Sequence, residues 1–201
     1  LLCQAGIIPP GDVHVAAVVG EEVGGFGTRY MLTHWRPDVA VIGEPSGNAL
    51  RCGHRCRLEF LVTFHGRSAH ASAPDRGLNP HHSMAQFLLS LRRAALAHDP
   101  VFGTTTVVPT LAYVDQTSSN VIPAALTVHL DWRGGLAQSA EGACALLERL
   151  AVDAAEVGVV PEVRLRTRTA RAYTGLEQTV TFAAPASYLP EEAPESRAAR
   201  N

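Results

Sequence analysis

Arg55-Cys56-Arg57-Leu58-Glu59-Phe60-Leu61-Val62-Thr63-Phe64-His65 alternates apolar with polar side chains, and Leu61 is the one break in the pattern. Successive side chains of a strand point to opposite faces, so a period of two predicts an antiparallel strand with one face in a core and the other in water. Further along, Met84, Phe87, Leu88 and Leu91 recur at helical spacing and predict an amphipathic helix over 81–97. Strands follow over 104–115 and 124–133. A second helix over 139–157 carries Ala143, Leu146, Leu147 and Leu150 on its buried face, and Val163 to Arg166 alternates again as a last strand. The order βαββαβ predicts an open-faced, ferredoxin-like domain over residues 53–168.

Upstream of this domain the pattern changes. Val13-His14-Val15-Ala16-Ala17-Val18-Val19 is a nearly continuous apolar run, and Asp38-Val39-Ala40-Val41-Ile42-Gly43 is a second. Between them lies a helical segment, Thr28 to His34, stopped by Pro37. Strand, helix and strand in this order predict a βαβ unit whose parallel strands are buried on both faces. Residues 1–52 are therefore expected to be part of an α/β domain, opening on the end of a helix at Leu1 to Ile8. Residues 169–201 are expected to return toward that domain. The last of them, 185–201, have no apolar periodicity and are expected to be poorly ordered.

Composition narrows the function classes. The formal net charge is −2, and no block of Lys or Arg offers an electrostatic footprint for nucleic acid. No apolar stretch approaches the ~20 residues of a membrane span. Cys3, Cys52, Cys56 and Cys144 lack zinc-finger spacing and read as reduced thiols of a cytoplasmic protein. No Cys lies in a motif with a partner His, which argues against a thiol hydrolase.

Carboxylates cluster where the apolar runs end. Gly20-Glu21-Glu22-Val23-Gly24 follows the first run, and Gly43-Glu44-Pro45-Ser46 follows the second. Open α/β sheets hold ligands at the carboxyl ends of their strands. If the two strands are neighbours, three carboxylates reach one rim, and a pair of divalent cations would relieve their repulsion. A solvated acidic turn is the alternative reading.

Those stretches, taken with two more, carry a resemblance. Val18 to Gly25 and Ala40 to Ser46 precede Gly66-Arg67-Ser68-Ala69-His70-Ala71-Ser72-Ala73-Pro74 with Gly77-Leu78-Asn79-Pro80. Ser119-Asn120-Val121-Ile122-Pro123 with Asp131-Trp132-Arg133 comes last. In this order the segments resemble the M20 metallopeptidase family, which includes acetylornithine deacetylase, succinyl-diaminopimelate desuccinylase and glutamate carboxypeptidase. The resemblance implies a zinc-exopeptidase-type parallel sheet with an inserted dimerisation, or lid, domain. It implies a dinuclear-metal hydrolase that cleaves the amide bond of an N-acyl amino acid or peptide with metal-activated water. Two divalent ions are implied, Zn2+ first, with Co2+ or Mn2+ as alternatives, and a homodimer through the lid.

The resemblance also assigns roles. Glu21 is the general base, Glu22 ligates one metal ion and Glu44 the other. His70 reaches across a dimer interface to donate a hydrogen bond to the oxyanion. Asn120 and Arg133 contact substrate, and the planar fork of Arg suits a carboxylate. Other readings stay open: His70 as an ordinary loop histidine, Asn120 as a turn cap before Pro123, Arg133 as a surface charge. The loop Val114-Asp115-Gln116-Thr117-Ser118 departs from the Gly-rich stretch usual before the Asn motif. The family's remaining His and Asp ligands have no counterpart between Leu1 and Asn201. The chain is thus expected to be an internal piece of such a hydrolase, inactive alone. A non-catalytic dimerisation module or a decayed gene fragment is the competing reading.

Overall fold

The computed structural model describes residues 4–6 and 8–199. The chain divides into two compact units, one of Leu1–Ala40 with Ala170–Gln178 and one of Val41–Thr169 with Thr179–Asn201.

The first unit holds helix α1, Phe26–Leu32, which starts two residues before the expected position. Gly24 and Gly25, both in the left-handed region at φ 109° and 65°, turn the chain into it. The expected helix end at the N-terminus is a turn over the described residues 4–6, while Leu1, Leu2, Cys3 and Ile7 lie outside the described residues.

The expected parallel strands are a correction. Neither Val13–Val19 nor Asp38–Gly43 forms a strand, and neither has a ladder partner among the described residues. Val15, Val41 and Ile42 stand 96%, 88% and 76% exposed. Strands of this composition hold their ladder only when flanked by other strands and covered by helices. Apolar content alone does not supply those neighbours.

The second unit contains a sheet built in the order the alternation predicts. Its strands are β1 (Arg57–His65), β2 (Thr106–Val114), β3 (Ala125–Arg133) and β4 (Val160–Leu165). Helix α2 (Pro80–Arg93) lies between β1 and β2 in the chain, and α3 (Ala140–Ala154) between β3 and β4. All pairings are antiparallel, and the spatial order is β4-β1-β3-β2, with Phe60 of β1 opposite Leu130 on one side and Leu165 on the other. β2 is an edge strand, and its register slips between Pro109 and Leu111. Proline, which cannot donate to a ladder, is tolerated at such an edge and bulge.

Both helices cover one face. Phe60, Val62 and Phe64 of β1, Val128, Leu130 and Trp132 of β3, Phe87 of α2 and Leu147 of α3 form the buried core. Phe64 and Phe87 lie with ring centroids 5.8 Å apart, and Phe60 meets Trp132 edge-on at 6.2 Å. The helix starts are capped as their sequences allow. Asn79 Oδ1 accepts from His81 N at 3.1 Å, with Pro80 at the first helical position, and Ser139 Oγ accepts from Gly142 N at 3.0 Å.

On the opposite face the side chains pair with one another, across strands and along β1. Thr63 and Thr127 share a 2.8 Å hydroxyl bond, and Glu59 accepts from Arg166 at 2.6 Å and pairs with Arg57 at 2.9 Å. The tail departs from expectation. Ser187–Tyr188 pairs with Gly53–His54, Ala183–Ala184 adds to the end of β1, and Pro194–Ala198 is helical. A hairpin of Thr167–Arg171 and Glu177–Thr181, turning at Gly175 (φ 86°), is likewise absent from the sequence reading.

Candidate functional site at one end of the sheet

The loop between β1 and α2 is held against itself. Arg67 and Leu78 exchange both backbone hydrogen bonds at 2.9 Å. Gly66 makes this closeness possible, because a Cβ there would sit 2.1 Å from the Leu78 carbonyl oxygen. The loop then runs antiparallel to the segment entering β3. Ala69 lies opposite Ile122 and His70 opposite Val121, and Ala71 N donates to Asn120 O at 2.8 Å. A short ladder therefore carries the histidine motif and the asparagine motif, 50 positions apart, to one place.

There the side chains meet. The terminal Nδ2 of Asn120 stands 3.3 Å from His70 Nε2. On the far side of the ring, Ser72 N donates to Nδ1 at 3.2 Å, and Ser72 Oγ lies 2.7 Å from the same nitrogen. Ser118 Oγ is 2.6 Å from Asn120 Oδ1. All four residues are exposed, so a ligand can reach them. The loop before Asn120, without glycine, is fixed by side chains instead. Gln116 Nε2 donates to Val121 O at 3.1 Å, Gln116 Oε1 accepts from Ser118 N, and Asp115 Oδ1 accepts from Ala124 N at 3.1 Å. Ser72, Ser118 and Gln116 were not singled out from sequence, although Ser72 falls inside the quoted motif, two residues after His70.

Arg133 lies elsewhere. It ends β3, whereas Asn120 precedes the start of that strand. Eight steps of about 3.3 Å put roughly 26 Å between the strand's two ends. Its guanidinium grips Asp131, with Nε 2.6 Å from Oδ1 and Nη2 3.1 Å from Oδ2. One small substrate cannot touch His70 and Arg133 of the same chain.

The carboxylates sit on turns. Glu21 and Glu22 are exposed in a single 3-10 turn between Gly20 and Gly24, both left-handed. Gly25 N closes it by donating to Gly20 O at 2.8 Å, and Arg29 Nε donates to Gly24 O at 3.2 Å. Glu44 is exposed before a turn in the second unit, with Ser46 N donating to its carbonyl at 2.8 Å. Among the described residues, no group of three or more His, Cys, Asp or Glu side chains could hold a metal ion. A zinc site takes three or four protein ligands, so the residues present do not themselves make one.

Cys56 and Cys144 are poorly placed as nucleophiles. Burial pushes the Cys56 thiol up, and it accepts from Gly134 N at 3.0 Å, while burial beside Glu148 raises that of Cys144. A thiol held in its protonated form is a poor nucleophile. Among the described residues no helix is long and apolar enough to cross a membrane.

Comparison with known proteins agrees with the second unit's architecture. A peptidase M20 domain-containing protein of Schizosaccharomyces pombe is 30% identical over 108 residues, covering 53% of this chain and 27% of that protein. Acetylornithine deacetylase of Photorhabdus laumondii is 35% identical over 97 residues, covering 45% and 25%. The chain thus matches about a quarter of the length of each of these relatives. Among solved structures, an aminobenzoyl-glutamate utilization protein from Klebsiella pneumoniae superposes with a TM-score of 0.51 at 23% identity, over 72% of this chain and 32% of the other, a likeness of fold. Residues 52–159, more than half of the chain, match the family model described as the peptidase dimerisation domain, and the chain belongs to the M20 peptidase family.

Proposed function

We propose that this chain serves a metal-dependent hydrolase that cleaves the amide bond of an N-acyl amino acid or peptide, and that its second unit is the lid through which two copies pair. The observation that carries the reading is the short ladder joining His70 to Asn120. It gathers two motifs distant in sequence into one exposed donor site within a domain that matches the peptidase dimerisation model. The strand order β4-β1-β3-β2 under two helices supports reading this domain as a ferredoxin-like sandwich.

In this reading His70 supplies the hydrogen bond to the oxyanion, and a donor of this kind lowers a barrier by about 3 kcal/mol. Asn120 contacts substrate beside it. Arg133, at the other end of β3, meets a different substrate molecule from the one that His70 of the same chain serves. Glu21 is the general base toward water, and Glu22 and Glu44 are carboxylate ligands of two divalent ions, Zn2+ first. The described residues do not themselves enclose those ions. That same observation favours a second reading, a dimerisation module without chemistry of its own.

The deciding experiment assays the whole protein, supplied with zinc, for release of free amino acid from N-acyl amino acids, with Glu21→Gln and His70→Ala beside it. Metal-dependent turnover lost in Glu21→Gln and cut by about 10²–10³ in His70→Ala is the expected result. Stable dimers with no turnover on acyl amino acids or peptides would leave the dimerisation module.

A further inference from the structure

We propose that Ser72 is a positioning residue for His70: it fixes the neutral imidazole as the Nε2–H tautomer, and Asn120 holds that N–H in place until an oxyanion takes it. The proposal rests on the reading of His70 as an oxyanion donor, but the tautomer can be observed without any reaction.

The argument begins at Nδ1. A backbone N–H can only donate, and Ser72 N directs its hydrogen to His70 Nδ1 at 3.2 Å. That nitrogen must therefore present its lone pair. A neutral imidazole carries one proton, so the proton is on Nε2. The Ser72 hydroxyl, 2.7 Å away, is free to turn and donate to the same lone pair. Two donors from a residue only two positions along the chain make this a local device, independent of how any other element docks.

At the other ring nitrogen, an Nε2–H needs an acceptor, whereas an Asn Nδ2 is itself a donor. The two ends of an amide are alike in shape and are assigned by their partners. With the Asn120 amide turned end for end, Oδ1 accepts from His70 Nε2–H across the 3.3 Å contact. Nδ2 then donates to Ser118 Oγ across the 2.6 Å contact. Every polar atom in the line then has a partner of the right kind. The chemical consequence is direct. Oxyanion stabilisation requires an N–H on the outward nitrogen, and the Nδ1–H tautomer would aim a lone pair at a developing negative charge. Holding the ring by its inward nitrogen leaves the outward N–H ready, as metal-bound histidines are oriented by the hydrogen bond at their second nitrogen.

The test uses the 201-residue chain labelled with 15N, at a pH where the ring is neutral. Two-bond 1H–15N spectra of the imidazoles report which nitrogen is protonated, and His70→Gln identifies the His70 signals. The expected spectrum shows His70 with a protonated Nε2 and a bare Nδ1. Ser72→Pro, which removes both the donating N–H and the hydroxyl, should move the signals toward a mixture of tautomers, whereas Ser72→Ala and Ser72→Thr, which keep the N–H, should hold the parent tautomer. A protonated Nδ1 in the parent chain, donating to Ser72 Oγ, overturns the proposal, as does a spectrum that Ser72→Pro leaves unchanged. In the whole enzyme Ser72→Pro should lower kcat about tenfold with little change in KM. If His70→Ala has no effect on turnover while the tautomer is as stated, the oxyanion role of His70 fails and the tautomer assignment stands.

Discussion

Replacing Gly66 by alanine tests whether the loop that carries His70 is held by the contact described. The added Cβ would lie 2.1 Å from the carbonyl oxygen of Leu78 and 3.1 Å from both the Leu78 carbonyl carbon and Pro80 Cδ. Non-bonded carbon atoms rest at about 3.5–4.0 Å, so the loop must move by more than an ångström. It cannot move toward Pro80, which is fully buried at the first position of α2. The strands of the loop must part instead, and the two 2.9 Å bonds between Arg67 and Leu78 are lost. At about 1 kcal/mol each, with some strain left over, the cost is about 2–3 kcal/mol. For a domain with a urea m-value near 2 kcal/mol/M, the unfolding midpoint should fall by about 1–1.5 M. Gly43→Ala is the control, since nothing lies within 4 Å of its Cβ position and its φ is not positive, and it should change stability by about 0.5 kcal/mol at most. Amide exchange adds the local readout: protection at Arg67 and Leu78 should collapse in Gly66→Ala. Equal midpoints for the two variants, with that protection intact, would refute the reasoning.

Two further outcomes follow from packing and charge. Phe87→Ala should cost about 3–5 kcal/mol, because the ring is 0% exposed and stacks near Phe64, whereas Leu89→Ala, on the same helix but 46% exposed, should cost well under 1 kcal/mol by denaturant titration. Comparable losses would mean that the helix face is misassigned. Asp99 accepts backbone hydrogen bonds from Phe102 and Val101 at 2.9 Å and from Leu136 at 2.8 Å, and these bonds, that from Phe102 foremost, hold its carboxyl below the ordinary 3.8. A folded value below the unfolded one contributes stability that is present above 3.8 and lost as pH falls through the folded value. Asp99→Asn should thus be less stable than the parent at neutral pH, with the gap narrowing on acidification below about pH 4. A gap independent of pH would show that the carboxylate charge has no part in it.

What was legible in the sequence follows the reach of the forces involved. The helical spacing of Met84, Phe87 and Leu91 survives in the structure, and the period of two in β1 marks the side chains that enter the core, but the strand expected to be half-exposed is buried from Leu58 to Phe64 on both faces. Leu61 broke the alternation yet is 5% exposed on the open face. It lies in register between His129 and Arg164 on a strand with neighbours on both sides, where long side chains close over a central position. The end of α2 was not legible. Ala94-Ala95-Leu96-Ala97 are good helix formers, but the chain leaves the helix at Ala94 (ψ 137°) and turns toward the His98–Asp99 and Gly103–Thr104 pair. That stop is imposed by contacts distant in sequence, including those of Asp99 to Leu136. Val13–Val19 failed in the opposite direction: apolar composition states that a segment would be buried, not that anything is there to bury it. His70 and Asn120 were named from motifs, but their contact depends on the ladder between Ala69–His70 and Val121–Ile122, which no local pattern announces. Arg133 was named the same way, and the length of β3 separates it from them.

The irregularity in β2 sets terms for whatever pairs along that edge. Two residues of β2 advance where β3 advances one, so Pro109 faces Leu130 and Leu111 faces His129. The two halves of the edge are out of phase, like a ruler with one division repeated. A newcomer strand that matches the hydrogen-bonding groups after the bulge will mismatch those before it unless it carries a compensating irregularity at the same place. Slipped alignments, which a uniform edge would accept at every second residue, are penalised here. The edge can therefore stay open to one specific companion while resisting indiscriminate sheet growth.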